Sequence, residues 1–394
     1  MDRLLRTEAR TNDNQLIAQD HTSKLSSGRA AVEPFCELAN DKSTARSLPN
    51  LPPVFCISHV YSHHAGASGY HHLAKYLGNV AECGPILRFL GETVLRVPTK
   101  LAGWYCGSYD YSRHNCTAEL SIGLHLLRRR GTIYHFLYGE KSYRFSGFLN
   151  GVRGNRLIAS YHHAPSRFDE MSSYKRHLRF LEHAVAMASN QVEYLERWVG
   201  RGRVSVVPHG VDTEYWVPRE QRGNEKLLRC VFAGTHMRDY ETLDRVVNRV
   251  SSAPAQVEFV LLSSDKRCAS IASRPNVRWL PRCSDEEYRS QMQMGDLLVL
   301  PLTDSTAVNS VLEGLACGLP TITNQGGVVE YLSPECSRVY SVGEAEIMAD
   351  AILDLALDRR QLSAMQTAAR TQALNFSWPL IAERMREVYR TIWQ

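Results

Sequence analysis

Residues 296–324 read DLLVLPLTDSTAVNSVLEGLACGLPTITN, and the order of patterns in them decides the fold class. DLLVLPL is a short continuous apolar run, as expected of a strand buried on both faces. TDSTAV is a polar loop. SVLEGLACG has helix length and stops at Gly318 with Pro320 just beyond, the usual punctuation of a helix C-terminus. LPTITN is a second buried strand. Strand, loop, helix, strand of this kind makes a parallel sheet with crossover helices.

Working outward, the same alternation fills most of the 394 residues. LRCVFAG (228–234), VEFVLLS (257–263) and VRWL (277–280) complete one series. VFCIS (54–58), TIYHFL (132–137), RLIASY (156–161), AVAMAS (184–189) and VSVV (204–207) form an earlier one. The sequence therefore predicts an α/β protein of two tandem Rossmann-like, doubly wound domains facing across a cleft, at residues 51–207 and 227–375. PHGVDTEYWVPREQRGNEK, roughly 208–226, is the linker. Residues 1–50 are polar and aperiodic, read as a loosely attached leader. FSWPLIAERMREVYRTIW begins with Ser377 as N-cap and predicts a terminal amphipathic helix over 376–394 that packs back on the first domain.

Composition narrows the function classes. The hydrophobic fraction of 44% supports two cores without staples, and ten scattered cysteines form no CxxC pair or zinc spacing. No signal-peptide core or bilayer-length apolar run is present, so a cytoplasmic, soluble or peripheral protein is expected. A net charge of +5 without aromatic-interleaved basic runs argues against nucleic acid as a partner. LRRRG (127–131), EKSYRFSGF, RGNR, YKRHLRF and ERWVGRGR leave an anionic membrane surface or an acidic glycan open, beside ordinary solvated faces. Trp104, Tyr105, Tyr109 and Tyr111 either stack on sugar rings or fill core.

Open α/β sheets bind ligands at the carboxyl ends of their strands, so the strand-to-helix loops carry the chemistry. The helix of residues 310–318 should begin at the cleft, with Asn309 or Ser310 as N-cap and its free N–H groups aimed at an anion. Glu313 then has two readings. Ser310-x-x-Glu313 is a capping box, or the carboxylate faces a ligand.

These segments together resemble the nucleotide-sugar glycosyltransferases of GT-B fold, in the large retaining family with sucrose synthase-like and mannosyltransferase members. The resemblance rests on SVLEGLACGLPTITNQGGVVEYL, VSVVPHGVDTEYW and the closing FSW helix. SHHAGASGYHHLAKYL supplies Gly66 and Gly69 for the glycine-bearing donor loop, Ser160-Tyr161-His162 echoes the family's T-x-H, His209 to Asp212 its nGvD turn, and Gly326, Gly327 and Glu330 its GG-x-x-E. The resemblance implies that Glu313 is the second acid of E-x7-E, which hydrogen-bonds the donor ribose. Two positions depart from the pattern. Ser305 stands where the first acid belongs, with Asp304 adjacent, and Thr235 replaces the usual Arg of the loop after Gly234, leaving Arg238 as its cation.

The implied reaction is sugar transfer from a UDP- or GDP-sugar donor to a saccharide, lipid-linked or small-molecule acceptor, with retention and without a cofactor. No D-x-D pair follows a strand, so no metal site is expected. Glu313, Arg238 and His162 are the implied catalytic set, and Gly66, Gly69, Gly234, Ala307, Val308, Asn309 and Ser310 join Arg238 and Glu313 in holding the donor. Each has a plainer role available: Arg238 as a helix cap or loop residue, His162 as a strand-end histidine satisfied by backbone. A catalytically silent scaffold that binds a glycan or protein partner is the rival reading. His163 and His236 are weaker candidates. The doublets His63-His64 and His71-His72 form no chelate unaided, because neighbouring side chains diverge.

Overall fold

Runs of β-branched and other apolar residues, too short for helices, become two fully parallel six-stranded sheets in the computed structural model, which describes residues 51–58, 66–80, 113–171, 175–220 and 226–394. The first sheet holds β1 (Val54–Ile57), β2 (Asn79–Val80), β3 (Ile133–Phe136), β4 (Arg156–Tyr161), β5 (His183–Ala186) and β6 (Val204–Val206), in the order β2-β1-β3-β4-β5-β6. The second holds β7 (Leu228–Ala233), β8 (Val257–Leu262), β9 (Val277–Trp279), β10 (Leu297–Leu300), β11 (Thr321–Asn324) and β12 (Ser337–Tyr340), in the order β12-β11-β10-β7-β8-β9. The two-residue β2 and the half-exposed β12 escape the apolar-run reading. The 1–50 segment, His63, His64, Trp104, Tyr105, Tyr109 and Tyr111 lie outside the described residues.

The strand orders locate the ligand crevices. In each sheet the direction of winding reverses once, between β1 and β3 and between β7 and β10. At a reversal the two connecting helices lie on opposite faces, and the loops leaving the strands' carboxyl ends part to leave a crevice. The helices that matter below are α1 (Arg113–Arg128), α2 (Gly139–Ser142), α3 (Tyr240–Ser251), α4 (Asp285–Met294), α5 (Asn309–Ala316) and α6 (Trp378–Trp393).

α6 buries Trp378, Ile381, Met385, Tyr389 and Ile392 at helical spacing. Two contacts of this helix lie with the first sheet and its neighbours: the Tyr389 hydroxyl meets His135 Nδ1 at 2.7 Å, and Arg386 donates to the Tyr76 carbonyl at 2.6 Å. Its lead-in pairs with the linker, the Val211 amide donating to the Phe376 carbonyl at 2.9 Å. Gly210 permits this approach, since a Cβ there would stand 2.3 Å from the Trp378 ring.

Candidate active site

At the second sheet's reversal, the loop leaving β7 carries Gly234 to Arg238. Gly234 has φ 91°, and a Cβ on it would lie 2.6 Å from the guanidinium of Arg238, so a side chain here would displace the cation. Arg238 is fixed by three donations, from Nε to the Ala233 carbonyl (2.9 Å), Nη1 to the His236 carbonyl (2.7 Å) and Nη2 to the Ser310 hydroxyl (3.0 Å). It does not cap α3, whose N-cap is Asp239. Burial lowers its pKa to about 10, which still leaves a cation at neutral pH.

The loop leaving β10 runs through Asp304 to Val308 into α5. Two expectations are corrected here. The N-cap is Val308, extended at φ −126° and ψ 108°, and not Asn309 or Ser310. The capping box is absent as well: the Ser310 hydroxyl accepts from Arg238, and the Glu313 carboxylate accepts from Ser68 and Tyr288. The first N–H groups of α5 remain without intrahelical acceptors, as at any helix start, and Arg238 adds a full positive charge beside them. Ala307 and Asn309 are half-buried on this rim, while Val308 and Ser310 are buried.

Glu313 is only 5% exposed. Its carboxylate accepts hydrogen bonds from the hydroxyls of Ser68 and of Tyr288, the latter at 2.9 Å on α4. Burial pushes its pKa up, opposed by those two hydroxyls and by Arg238. Ser68 belongs to the glycine loop of the first half, whose Gly66 amide also donates to Asp285 Oδ2 at 2.6 Å. Gly69, at φ 112°, turns the chain into the helical turn of Tyr70 to Leu73. The glycine loop and the buried acid are thus in direct contact, and this corner presents hydroxyl groups to a carboxylate.

The first sheet's reversal contributes a second buried acid that sequence reasoning missed. Glu140, in α2 directly after β3, is 4% exposed and accepts from the His162 amide (2.9 Å) and ring Nδ1 (3.2 Å). Burial raises its pKa, yet the charge and hydrogen bond of His162 and the charge of His163, 3.8 Å away, prevail and hold it at about 2. With Nδ1 donating to the carboxylate, Nε2 is the ring position left open to a ligand. Nε2 of His162 is buried without a hydrogen-bond partner among the described residues, its ring packed 4.8 Å from Tyr70 and 4.9 Å from Tyr138. His135, one strand away, has both nitrogens occupied, by Tyr389 and Ser160, and burial lowers it to about 3. It is a core histidine, whereas His162 has one ring nitrogen on the Glu140 carboxylate and the other unpaired among the described residues.

Ser305 does not stand in for a carboxylate. Its hydroxyl accepts from the Val328 amide at 3.2 Å, its carbonyl from Gly327 at 3.0 Å and Asn190 at 2.9 Å, and a Cβ on Gly326 would fall 2.4 Å from its Oγ. Asp304 accepts from Ser166 at 2.7 Å. Thr306 donates to the His162 carbonyl, tying the α5 lead-in to the end of β4. Thr235 and His236 present much of their surface to solvent, yet partial desolvation of the His236 ring, with His163, Arg167 and Arg238 nearby, lowers its pKa to about 4. Glu330 accepts from the Ser189 amide and hydroxyl, each at 2.6 Å. Neither His71-His72 nor any other group of three His, Cys, Asp or Glu is arranged to hold a metal among the described residues.

With this geometry in place, comparison with known proteins separates the two halves. Residues 228–358, the whole second sheet and its reversal, match the family Glycosyl transferases group 1. That match takes in 131 of the 394 residues, and the chain as a whole has the GT-B fold. The MMP alpha-(1->4)-mannosyltransferase of Mycolicibacterium hassiacum is 25% identical over 199 residues, 48% of each chain. The D-inositol 3-phosphate glycosyltransferase of Corynebacterium diphtheriae is 27% identical over 217 residues, 47% of this chain and 50% of that one. The chain thus spans about half the length of the curated relatives it matches. Among solved structures, Anabaena Alr3699/HepE in complex with UDP superposes with a TM-score of 0.62 at 13% identity, covering 86% of this chain and all of that one. Sucrose-phosphate synthase from Thermosynechococcus elongatus gives 0.55 at 17%, covering 80% and 83%. These two likenesses establish the fold alone.

Proposed function

We propose that the protein transfers a sugar from a UDP- or GDP-sugar to a saccharide, lipid-linked or small-molecule acceptor, retaining the anomeric configuration and requiring no metal. One observation carries the reading: a buried carboxylate, Glu313, one turn into α5, with a fixed guanidinium at that helix's start and the glycine loop against it. A ribose diol donating to Glu313, in place of the Ser68 and Tyr288 hydroxyls, sets the diphosphate beside the α5 amides and Arg238. The Alr3699/HepE structures contain UDP and UDP-glucose, which favours a uridine donor.

In the reaction the bond from the anomeric carbon to the β-phosphate oxygen breaks and a bond from the acceptor oxygen to that carbon forms on the same face. The acceptor's proton passes to the departing phosphate oxygen. Negative charge grows on the diphosphate, and a preorganised cation with helix N–H groups in a half-dry crevice lowers that barrier. His162, held by Glu140, has its Nε2 unpaired among the described residues and supplies a hydrogen bond to the reacting sugar.

The silent-scaffold reading draws on Ser305, whose hydroxyl is committed to the backbone. Calorimetric titration with UDP and GDP in excess chelator, followed by donor hydrolysis assays, separates the two. Nucleotide binding with slow metal-free hydrolysis of a nucleotide sugar is expected; binding without any hydrolysis or transfer favours the scaffold.

A further inference from the structure

At the opposite end of the first sheet, the surface has a different character. α1 exposes Leu120, Leu124 and Leu127, at 48%, 43% and 50%, which at i, i+4 and i+7 share one helix face. The turn Ser146–Leu149 packs beside α1 and exposes Phe148 at 68%. Arg128, Arg129 and Arg130 follow the last of these leucines and are all exposed. Exposed Arg153 joins them, because its carbonyl accepts from the Gly131 amide at 3.2 Å and Asn155 Nδ2 bonds the Leu126 and Arg129 carbonyls. These loops precede β3 and β4, so they sit at the strands' amino ends, away from Glu140 and His162.

The charge is one-sided. Between residues 113 and 156 the only acids are Glu119 and Glu140, both buried, whereas Arg128, Arg129, Arg130 and Arg153 face solvent. Surface leucines and arginines are each ordinary; a helical stripe of leucines with a projecting phenylalanine, edged by arginines without an ion pair among the described residues, is not. Apolar side chains beside a basic rim match a bilayer whose headgroups are anionic and whose acyl region begins just beneath. Among the described residues no helix is long and apolar enough to cross a membrane, so the contact would be peripheral. We propose that this face docks the protein on anionic lipid bilayers, with Phe148 and the leucines entering the interface and the arginines engaging lipid phosphates.

Co-sedimentation of the full chain with phosphatidylcholine vesicles containing about 30% phosphatidylglycerol tests it. Binding is expected at roughly 0.1 M salt, with release at roughly 0.5 M and none to pure phosphatidylcholine. Replacing Arg128, Arg130 and Arg153 by Gln should weaken partition on the order of a hundredfold, from loss of about one basic contact's worth of attraction per residue. Leu124→Ser with Phe148→Ser, which leaves the charge unchanged, should weaken it roughly tenfold. Removing an equal charge at exposed Arg278, Arg282 and Arg360 should change little. Circular dichroism and nucleotide titration confirm that each variant is folded. Failure to bind anionic vesicles, as expected of a face made for a protein or a soluble glycan, overturns the proposal. So does equal weakening by both arginine triples, or binding indifferent to the Leu124 and Phe148 replacements.

Discussion

Glu140 and Glu313 make an instructive pair. Each follows the carboxyl end of a strand at its own sheet's reversal, and each is almost wholly buried, at 4% and 5% exposure. Desolvation raises both. Glu140 has two histidines and a backbone amide against it and ends near 2; Glu313 has hydroxyls and one arginine shared with carbonyls, and stays raised. Burial alone therefore does not set the behaviour of an interior acid; the charge of its partners does. The physical reading is a division of labour. Glu140 is a committed anion that orients protein, and Glu313 is an acceptor held by replaceable hydroxyls, suited to a ligand.

The largest expected effect tests the first half of that statement. Glu140→Ala strands the buried His162 amide and the rings of His162 and His163, and should cost about 3 kcal/mol of stability in chemical denaturation, whereas Glu140→Gln keeps an acceptor and should cost about 1 kcal/mol. Equal losses would show that the histidines do not depend on the charge.

Arg238 links the two halves of the comparison, since it lies close enough to lower the Glu313 pKa while donating to Ser310. Arg238→Lys keeps the charge but cannot reproduce three donations from one planar fork. Turnover at saturating donor should fall about a hundredfold with stability little altered, measured as initial rates over a donor series. A change confined to KM would place Arg238 in ground-state binding only.

Much of the fold is legible because parallel strands buried on both faces leave continuous apolar runs, and ten of the twelve strands announce themselves that way. β2 is too short to carry a pattern, and the half-exposed Ser337–Tyr340 lacks one. Glu313, Arg238 and His162 are singled out by the resemblance of their loops to glycosyltransferase motifs, and the parallel sheets then place those loops at the carboxyl ends of strands. Glu140 is not, for EKSYRFSGF reads as one more basic surface segment until the strand order shows that β3 borders the reversal. Partner choice is harder still. Asn309 and Ser310 are better N-caps by propensity than Val308, yet the hydroxyl of Ser310 is claimed by an arginine 72 positions away. Ser68 and Tyr288 meet Glu313 from two different segments, a contact that only the folded chain creates.

A third change acts on the acceptor role. Glu313→Ala removes the charged acceptor for a ribose diol and should weaken nucleoside diphosphate binding at least about tenfold by calorimetry. Free inorganic pyrophosphate, which lacks the ribose, should bind both forms alike if the diphosphate is held by α5 and Arg238.

The smallest effect is the sharpest, because its sign differs between the two acids. Glu313 has a folded pKa above its unfolded value near 4.3, so its contribution to stability is present below that value and is lost as pH rises through the folded pKa. Glu313→Gln, neutral at every pH, should therefore match or exceed the parent in melting temperature near neutrality, with the difference closing towards about pH 4. Glu140 runs the other way. Its depressed pKa gives stability above about pH 4.3 that disappears only as pH falls toward 2, so Glu140→Gln should melt below the parent across the neutral range. Calorimetric melting of the three proteins between about pH 4 and 8 reads both signs at once. If Glu313→Gln proves the less stable at neutral pH, its carboxylate is held by stronger positive charge than Arg238 supplies, and the contrast between the two acids fails.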